Sequence, residues 1–231
     1  MHAARESTYI QTFRKIVPNN YLHGKLLNMA SFLEYVGVRK IIKSLDVSRF
    51  SLEVMGHAEE EMRHAKLLKR MAADVGGAKF SESFNDYNTL ARDAAENYFQ
   101  TVDGYSQDWV NQHFKTSEKE ADLFRCYLCT SYLIEVRALR FYGDLLLVQK
   151  EVFGKGTPIA SLLKEEEHHL AAMRKELFQD GDLNESQFEP LLRLEQEAFE
   201  RFWEVLSVEV VESLNSASAS RPPFPNTTLL G

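Results

Sequence analysis

Cysteine is nearly absent from this chain: its 231 residues hold two, Cys126 and Cys129. A four-thiolate metal site would need a second pair, so that class is excluded. The Cys-x-x-Cys falls in the middle of an apolar, helix-like segment, Leu123 to Leu147. A redox pair usually sits at a helix N-terminus, where the dipole lowers a thiol pKa, so these two read as small core residues. Proline is scarce as well, six in all, and strand-like alternation is missing over any useful length, which excludes a sheet-built fold. No run of 18 apolar residues occurs, so no transmembrane helix is expected. Met1 to Lys15 carries charges inside the pattern Ile10, Phe13, Ile16 and lacks the continuous stretch of a signal peptide, so the expected compartment is the cytoplasm. Basic residues are outnumbered, giving a net charge of −7, which argues against a general nucleic-acid binder with its basic footprint.

What the chain does have is apolar residues, 44%, in helical periodicity. That is enough to bury a large core. A short helix is expected over Arg5 to Val17, ended by Pro18-Asn19-Asn20. Tyr21 to Leu45 carries Leu27, Ala30, Glu34, Val38, Ile41 and Leu45 on one face. Asp46-Val47-Ser48 supplies N-cap chemistry for the next helix, Arg49 to Val75, whose stripe is Val54, Ala58, Glu61, Ala65, Leu68, Ala72. Gly76-Gly77 ends it. Residues 78 to 117 form a long connection with its own helical side, Leu90, Ala94, Tyr98, Val102, Tyr105, Trp109, and Gly104 as a candidate bend. Glu118 to Lys150 follows, with Phe124, Leu128, Ser131, Glu135, Ala138, Tyr142 and Leu145 in line. A Gly-rich turn ends in Pro158 and opens Pro158 to Gln179, striped Ile159, Leu162, Leu163, Glu166, His169, Leu170, Met173, Leu177. A last helix, Glu185 to Leu214, presents Leu191, Leu194, Phe199, Phe202, Trp203, Leu206 and Val210. Residues 1–215 read as one helical domain and 216–231 as an irregular tail.

Four of these apolar stripes each contain a glutamate: Glu34, Glu61, Glu135 and Glu166. A buried, unpaired carboxylate is very costly, and a metal ion removes that cost by supplying the missing positive charge. Two of the four are followed three residues later by histidine, as Glu61-x-x-His64 and Glu166-x-x-His169, which sets both side chains on one face about a turn apart. A carboxylate and an imidazole so spaced can ligate one metal. Four carboxylates balance two divalent ions, and the mixed oxygen and nitrogen set suits iron or manganese. Glu165-x-x-His168 also matches the motif, but Glu166 and His169 are the pair in line with Leu162, Leu163, Leu170 and Met173. The order is a single Glu then Glu-x-x-His, used twice, with gaps of 27 and 31 residues that each suit an antiparallel helix pair. In the second pair the turn lies much closer to Glu166. Either the third long helix stops well before Phe153, or its last turns overhang.

This arrangement resembles the ferritin-like di-iron carboxylate superfamily over about Tyr21 to Gln179, through Ala58-Glu59-Glu60-Glu61-Met62-Arg63-His64 and Lys164-Glu165-Glu166-Glu167-His168-His169. The resemblance implies an antiparallel four-helix bundle, here with additional helices in the central crossover and at the C-terminus. It implies Glu34, Glu61, His64, Glu135, Glu166 and His169 as ligands of two iron ions, with manganese as the other metal. In related sites the acid before a ligand glutamate orients a histidine; Glu60 and Glu165 stand there, although exposed charges on a helix flank are the favoured reading. His57, one turn before Glu61, reads as a polar core residue rather than an extra ligand, Tyr142 as a core aromatic, and Arg137 and Arg140 as surface partners of acids.

The leading expected activity is a di-iron oxidoreductase that activates O₂ to oxidise or hydroxylate a small-molecule substrate, drawing on an electron-donor protein. Ile134-Glu135-x-Arg137 is similar to the third-helix motif of the bacterial tRNA hydroxylase branch, though the acidic balance speaks against a nucleic-acid substrate. The alternatives are a non-cage iron-binding, ferroxidase or peroxidase protein of ferritin or rubrerythrin type, and a metal-free structural bundle. Surplus aromatic helices make a homodimer one expected assembly. No membrane partner is expected.

Overall fold

The computed structural model describes residues 8–44, 50–114, 119–155, 157–178 and 184–219, and within them the chain is all-α, with no strand. The helices are α1 (Thr8–Ile16), α2 (Asn20–Ser44), α3 (Leu52–Gly76), α4 (Arg92–His113), α5 (Lys119–Phe153), α6 (Ile159–Phe178) and α7 (Glu185–Ala219), with one 3₁₀ turn at Ala78–Ser81. The long helices fall where the apolar periodicity predicts them. Asn19 opens α2, its side-chain oxygen accepting from the N–H groups of Tyr21 and Leu22 at 3.1 Å. The helix start expected from Asp46-Val47-Ser48 lies outside the described residues; the cap of α3 is Ser51, whose hydroxyl accepts from Val54 N–H at 3.3 Å. α4 runs through Gly104 without interruption. α7 continues to Ala219, past the expected end at Leu214, so residues 216–219 are helical; the rest of the expected tail lies outside the described residues. Among the described residues no helix is long and apolar enough to cross a membrane.

α2 and α3 pack antiparallel, and at one end they nearly touch. A Cβ on Gly24 would lie 3.0 Å from the Gly76 Cα, and one on Gly76 would lie 2.3 Å from Cε2 of Phe80, so the approach requires glycine and Phe80 fills the remaining gap. Further along, the Ser31 hydroxyl donates to the Ala65 carbonyl at 2.6 Å. α5 and α6 form the second antiparallel pair. Here the overhang is what the structure contains: α5 stays helical to Phe153, and the connection folds back so that Thr157 donates to Gln149 at 2.5 Å. The projecting turns are occupied. Glu151 receives Arg14 at 3.0 Å, Gln149 meets His23 at 3.0 Å, and Phe153 stacks on His23. That return path brings Glu135 and Glu166 level despite their unequal distances from the turn.

α1, α4 and α7 close the other side with aromatic rings. Phe13 stands edge-on to Phe141 and Trp203 at 5.2 Å, and Tyr98 meets Phe199 and Phe202 at 5.6 and 5.8 Å. Cys126 and Cys129 are buried in the core and form no disulfide, as their sequence context predicts. α4 starts from Ala91, whose φ of 47° is left-handed; its N–H donates to Glu209 of α7 at 2.8 Å, and Glu209 also binds Lys25 at 2.5 Å. On α7 the register differs from expectation at one place. Leu194, expected inward, is exposed at 37%, and its neighbour Glu195 is buried at 2%.

Candidate metal centre

The six residues singled out by stripe and spacing come together between α2, α3, α5 and α6. Glu61, His64, Glu135, Glu166 and His169 are buried. His64 Nδ1 lies 3.0 Å from Glu166 Oε1. His169 Nδ1 lies 3.3 Å from Glu61 Oε1, 3.3 Å from Glu135 Oε1 and 3.2 Å from Glu166 Oε2. Glu34 joins through its contact set with Glu61 and His64, and it accepts a hydrogen bond from Tyr142, which is therefore a site neighbour as well as a core aromatic. One group of potential donors is Glu34, Glu61 and His64, and another is Glu61, Glu135, His169 and His57.

The outer nitrogens are held crosswise. His64 Nε2 sits 2.8 Å from Glu165 Oε2, and His169 Nε2 sits 2.7 Å from Glu60 Oε2. Each acid thus serves the histidine of the other Glu-x-x-His segment. This corrects the reading of Glu60 and Glu165 as flank charges. Fixing the outer N–H sets which imidazole nitrogen faces inward. Glu165 is itself clamped by Arg63 at 2.5 Å, and that hydrogen bond, helped by His64, holds its carboxyl down at about 2.

Apart from the His169 Nδ1–Glu166 Oε2 hydrogen bond at 3.2 Å and that from Tyr142 to Glu34, the inward atoms do not satisfy one another. His57 Nε2, Glu61 Oε1, His64 Nδ1 and Glu166 Oε1 are buried without a hydrogen-bond partner, although neighbours lie within 3.0–3.2 Å. These neighbours are close without forming donor–acceptor pairs. Separations near 3.0 Å are also the edge of an octahedron with bonds of about 2.1 Å, so the donor set fits a small divalent transition metal.

Protons stabilise the cluster when no metal does. Burial pushes Glu135 up to about 8, reinforced by the charge of Glu166 and opposed by the imidazoles of His169 and His57 beside it. Burial, with Glu61 and Glu166 close by, also raises Glu34 well above the carboxylate range. Burial acts the same way on Glu61, but the imidazoles of His169 and His57 beside it prevail and hold its carboxyl well below the usual range. The imidazoles resist their burial through these carboxylates, so His57 and His64 rise to about 9 and His169 rises further. Two protonated acids and three charged imidazoles occupy the electrostatic role that ions would take.

Sequence reasoning passed over two features. His57 is part of the cluster rather than a polar core residue apart from it, with Nε2 3.2 Å from Glu61 and 3.6 Å from Glu135. Arg137 is not a surface partner: it is buried and forms two hydrogen bonds with Glu195, at 2.8 and 2.7 Å. Arg140 is exposed, as expected. His168 is exposed and outside the cluster, so Glu166 and His169 are the pair turned inward. A mainly apolar cavity of about 70 Å³ lies against Glu34, Glu61, Glu135 and Glu166; Phe99, Phe141, Phe199 and Phe202 wall it, with Arg137, Tyr98 and Tyr142 also in its lining. Compared with known proteins, the chain matches no family model, no curated protein and no solved structure.

Proposed function

We propose that the chain is a ferritin-like four-helix bundle, α2, α3, α5 and α6, that holds two iron ions and activates O₂ to oxidise a small apolar substrate. The carrying observation is the convergence of four carboxylates and their imidazoles, with unpaired buried atoms, against an apolar cavity. Glu34, Glu61 and His64 would hold one ion, Glu61, Glu135 and His169 the other, and Glu166 lies within reach of both imidazoles. When bound, reduced iron supplies electrons for O₂ reduction. The chain's own groups do the rest. Glu60 and Glu165 keep the two imidazoles oriented. The aromatic walls exclude water and favour an apolar guest. Tyr142 holds a hydroxyl hydrogen on Glu34, where a proton can be kept at the cavity's edge.

The aromatic cavity beside the carboxylates favours substrate oxidation, whereas the more polar cavity that reaches His57 and His169 past Glu53, Glu60 and Glu176 is the path that iron handling would use. The test is anaerobic loading with Fe(II), removal of loose metal and elemental analysis, beside Glu61→Ala/Glu166→Ala. About two ions per chain in the parent and their loss in the variant are expected. O₂ is then admitted with and without small apolar substrates. Oxygen uptake that yields oxidised substrate supports the oxidase. Uptake that yields only ferric iron released from the protein sinks it in favour of ferroxidase action.

A further inference from the structure

We infer that His57 is a third imidazole ligand, serving the position of Glu135 and His169, so that the two metal positions differ in nitrogen content. The inference rests on the two-metal reading above.

His57 lies one turn before Glu61, so His57-x-x-x-Glu61-x-x-His64 sets three donors on one face of α3. Its Nε2 is buried, lacks a hydrogen-bond partner, and faces Glu61 Oε1 at 3.2 Å and Glu135 Oε1 at 3.6 Å. The ring lies 5.0 Å from that of His169. The far nitrogen, Nδ1, is 2.7 Å from the hydroxyl of Tyr127 on α5. Tyr127 therefore does for His57 what Glu60 and Glu165 do for His169 and His64. With the Nδ1 hydrogen donated to Tyr127, Nε2 presents its lone pair to the cluster.

The other half of the chain has no counterpart. The residue one turn before Glu166 is Leu162, buried and apolar. The twofold pattern of Glu and Glu-x-x-His is broken at this one place. One position gathers His57, His169, Glu61 and Glu135; the other gathers His64, Glu34 and Glu61. Imidazole favours later divalent ions over manganese, whereas carboxylates accept manganese readily. The position with two imidazoles should therefore fill first with cobalt or iron, and the carboxylate-rich position second. His57 and His169 also line a cavity of about 320 Å³ that includes Glu53, Glu60 and Glu176, separate from the apolar one.

The test uses the full chain titrated anaerobically with Co(II) and followed by proton NMR, where N–H groups of ligating imidazoles give exchangeable, strongly shifted signals. Two such signals are expected with the first equivalent, from His57 and His169, and a third with the second. His57→Leu, which copies Leu162, should lose one of the first two and weaken the first equivalent by at least the roughly 10–100-fold that loss of a supporting partner costs. Tyr127→Phe should keep three signals and weaken that equivalent less. Two signals in the fully loaded parent, which retains both ions, overturn the assignment of His57 and leave the two-metal centre standing. A parent that retains no Co(II) and no Fe(II) overturns the two-metal reading itself. The parent's signal count decides the matter even if His57→Leu fails to fold.

Discussion

Glu135 and Arg137 leave α5 two residues apart and enter two buried charge clusters built on opposite terms. Around Arg137 every charge is matched. Its guanidinium binds Glu195 twice and Gln196 at 2.7 Å, lies 4.1 Å over the Phe199 ring, and shares Glu195 with the Tyr98 hydroxyl at 2.7 Å. None of its polar atoms is both fully buried and without a partner. Around Glu135 acids outnumber the groups that satisfy them, and four inward atoms have no hydrogen bond. A matched buried pair needs nothing further and ties α5 to α7 and α4. An unmatched, convergent set is stable only with added positive charge. Buried charge therefore marks a site where its pairing is incomplete, not merely where it occurs.

Replacing each acid by its amide should break this contrast or sharpen it most strongly. Glu195→Gln leaves the Arg137 charge buried without a counter-ion and should cost about 3–5 kcal/mol in denaturant unfolding. Arg137→Met/Glu195→Leu should recover most of that loss, because an apolar pair of similar volume removes both charges. Glu135→Gln behaves differently. At neutral pH without metal, Glu135 holds its proton, so glutamine is close to an isostere and should change stability by less than about 1 kcal/mol. The same variant should lose metal from its position. Equal costs for the two amides without metal would show that the clusters are alike.

The pH dependence of the metal-free protein follows from the same asymmetry. The folded values of Glu135, about 8, and of His57 and His64, about 9, lie above their ordinary values of 4.5 and 6.5. Raised groups add stability that is complete below the ordinary value and lost as pH rises through the folded one. Melting temperature without metal should fall between pH 7 and 9, and fall less in Glu135→Gln. Metal affinity should move the other way, because ions displace these protons. Calorimetric titration with Zn(II) in buffers of different ionisation heat would measure the protons released. A heat independent of buffer would contradict the proton-filled cluster.

The supporting acids come next in size. Glu165→Gln should weaken metal binding about 10–100-fold by loosening His64. Glu60→Gln should do less, because the Glu60 side chain is 47% exposed against 29% for Glu165 and exchanges its bond with water more readily.

The site was legible because burial of a glutamate on an apolar stripe is improbable without compensation, and helical spacing alone brings Glu61 to His64 and Glu166 to His169. The same rule, applied evenly, flags Glu195, which lies in line with Leu191, Phe199 and Phe202 and is buried, yet its compensation is Arg137 rather than a metal. The stripe reveals that a partner exists but not which one, because the partner lies on another helix. The same gap hid the role of Tyr127 and left that of Glu60 and Glu165 to be decided between histidine support and flank charge. Each acts on a histidine across the helix interface, and no spacing along the chain encodes that contact. Helix positions were legible from periodicity, with ends displaced by a few residues where caps decide, as at Ser51. The overhang of α5 could be posed from the unequal distances to the turn, but its resolution depended on Gln149, Glu151 and Phe153 finding partners on α1, α2 and the connection.

The smallest effect discriminates the clusters by a difference of differences. Tyr98 and Tyr142 each donate a hydroxyl to a glutamate, Glu195 and Glu34 respectively, and burial raises both phenols well above their ordinary value. Tyr98→Phe removes one of several donors to Glu195, while Arg137 remains, and should cost about 1 kcal/mol. That cost should be the same with and without metal, since nothing about Arg137 or Glu195 changes on loading. Tyr142→Phe removes a hydroxyl from an acid that holds a proton without metal and would ligate with it. Its cost should therefore differ between the two states, as read from paired denaturant curves of metal-free and Co(II)-loaded protein. A Tyr142 cost unchanged by loading would place Glu34 outside the metal centre and leave the carboxylate count one short.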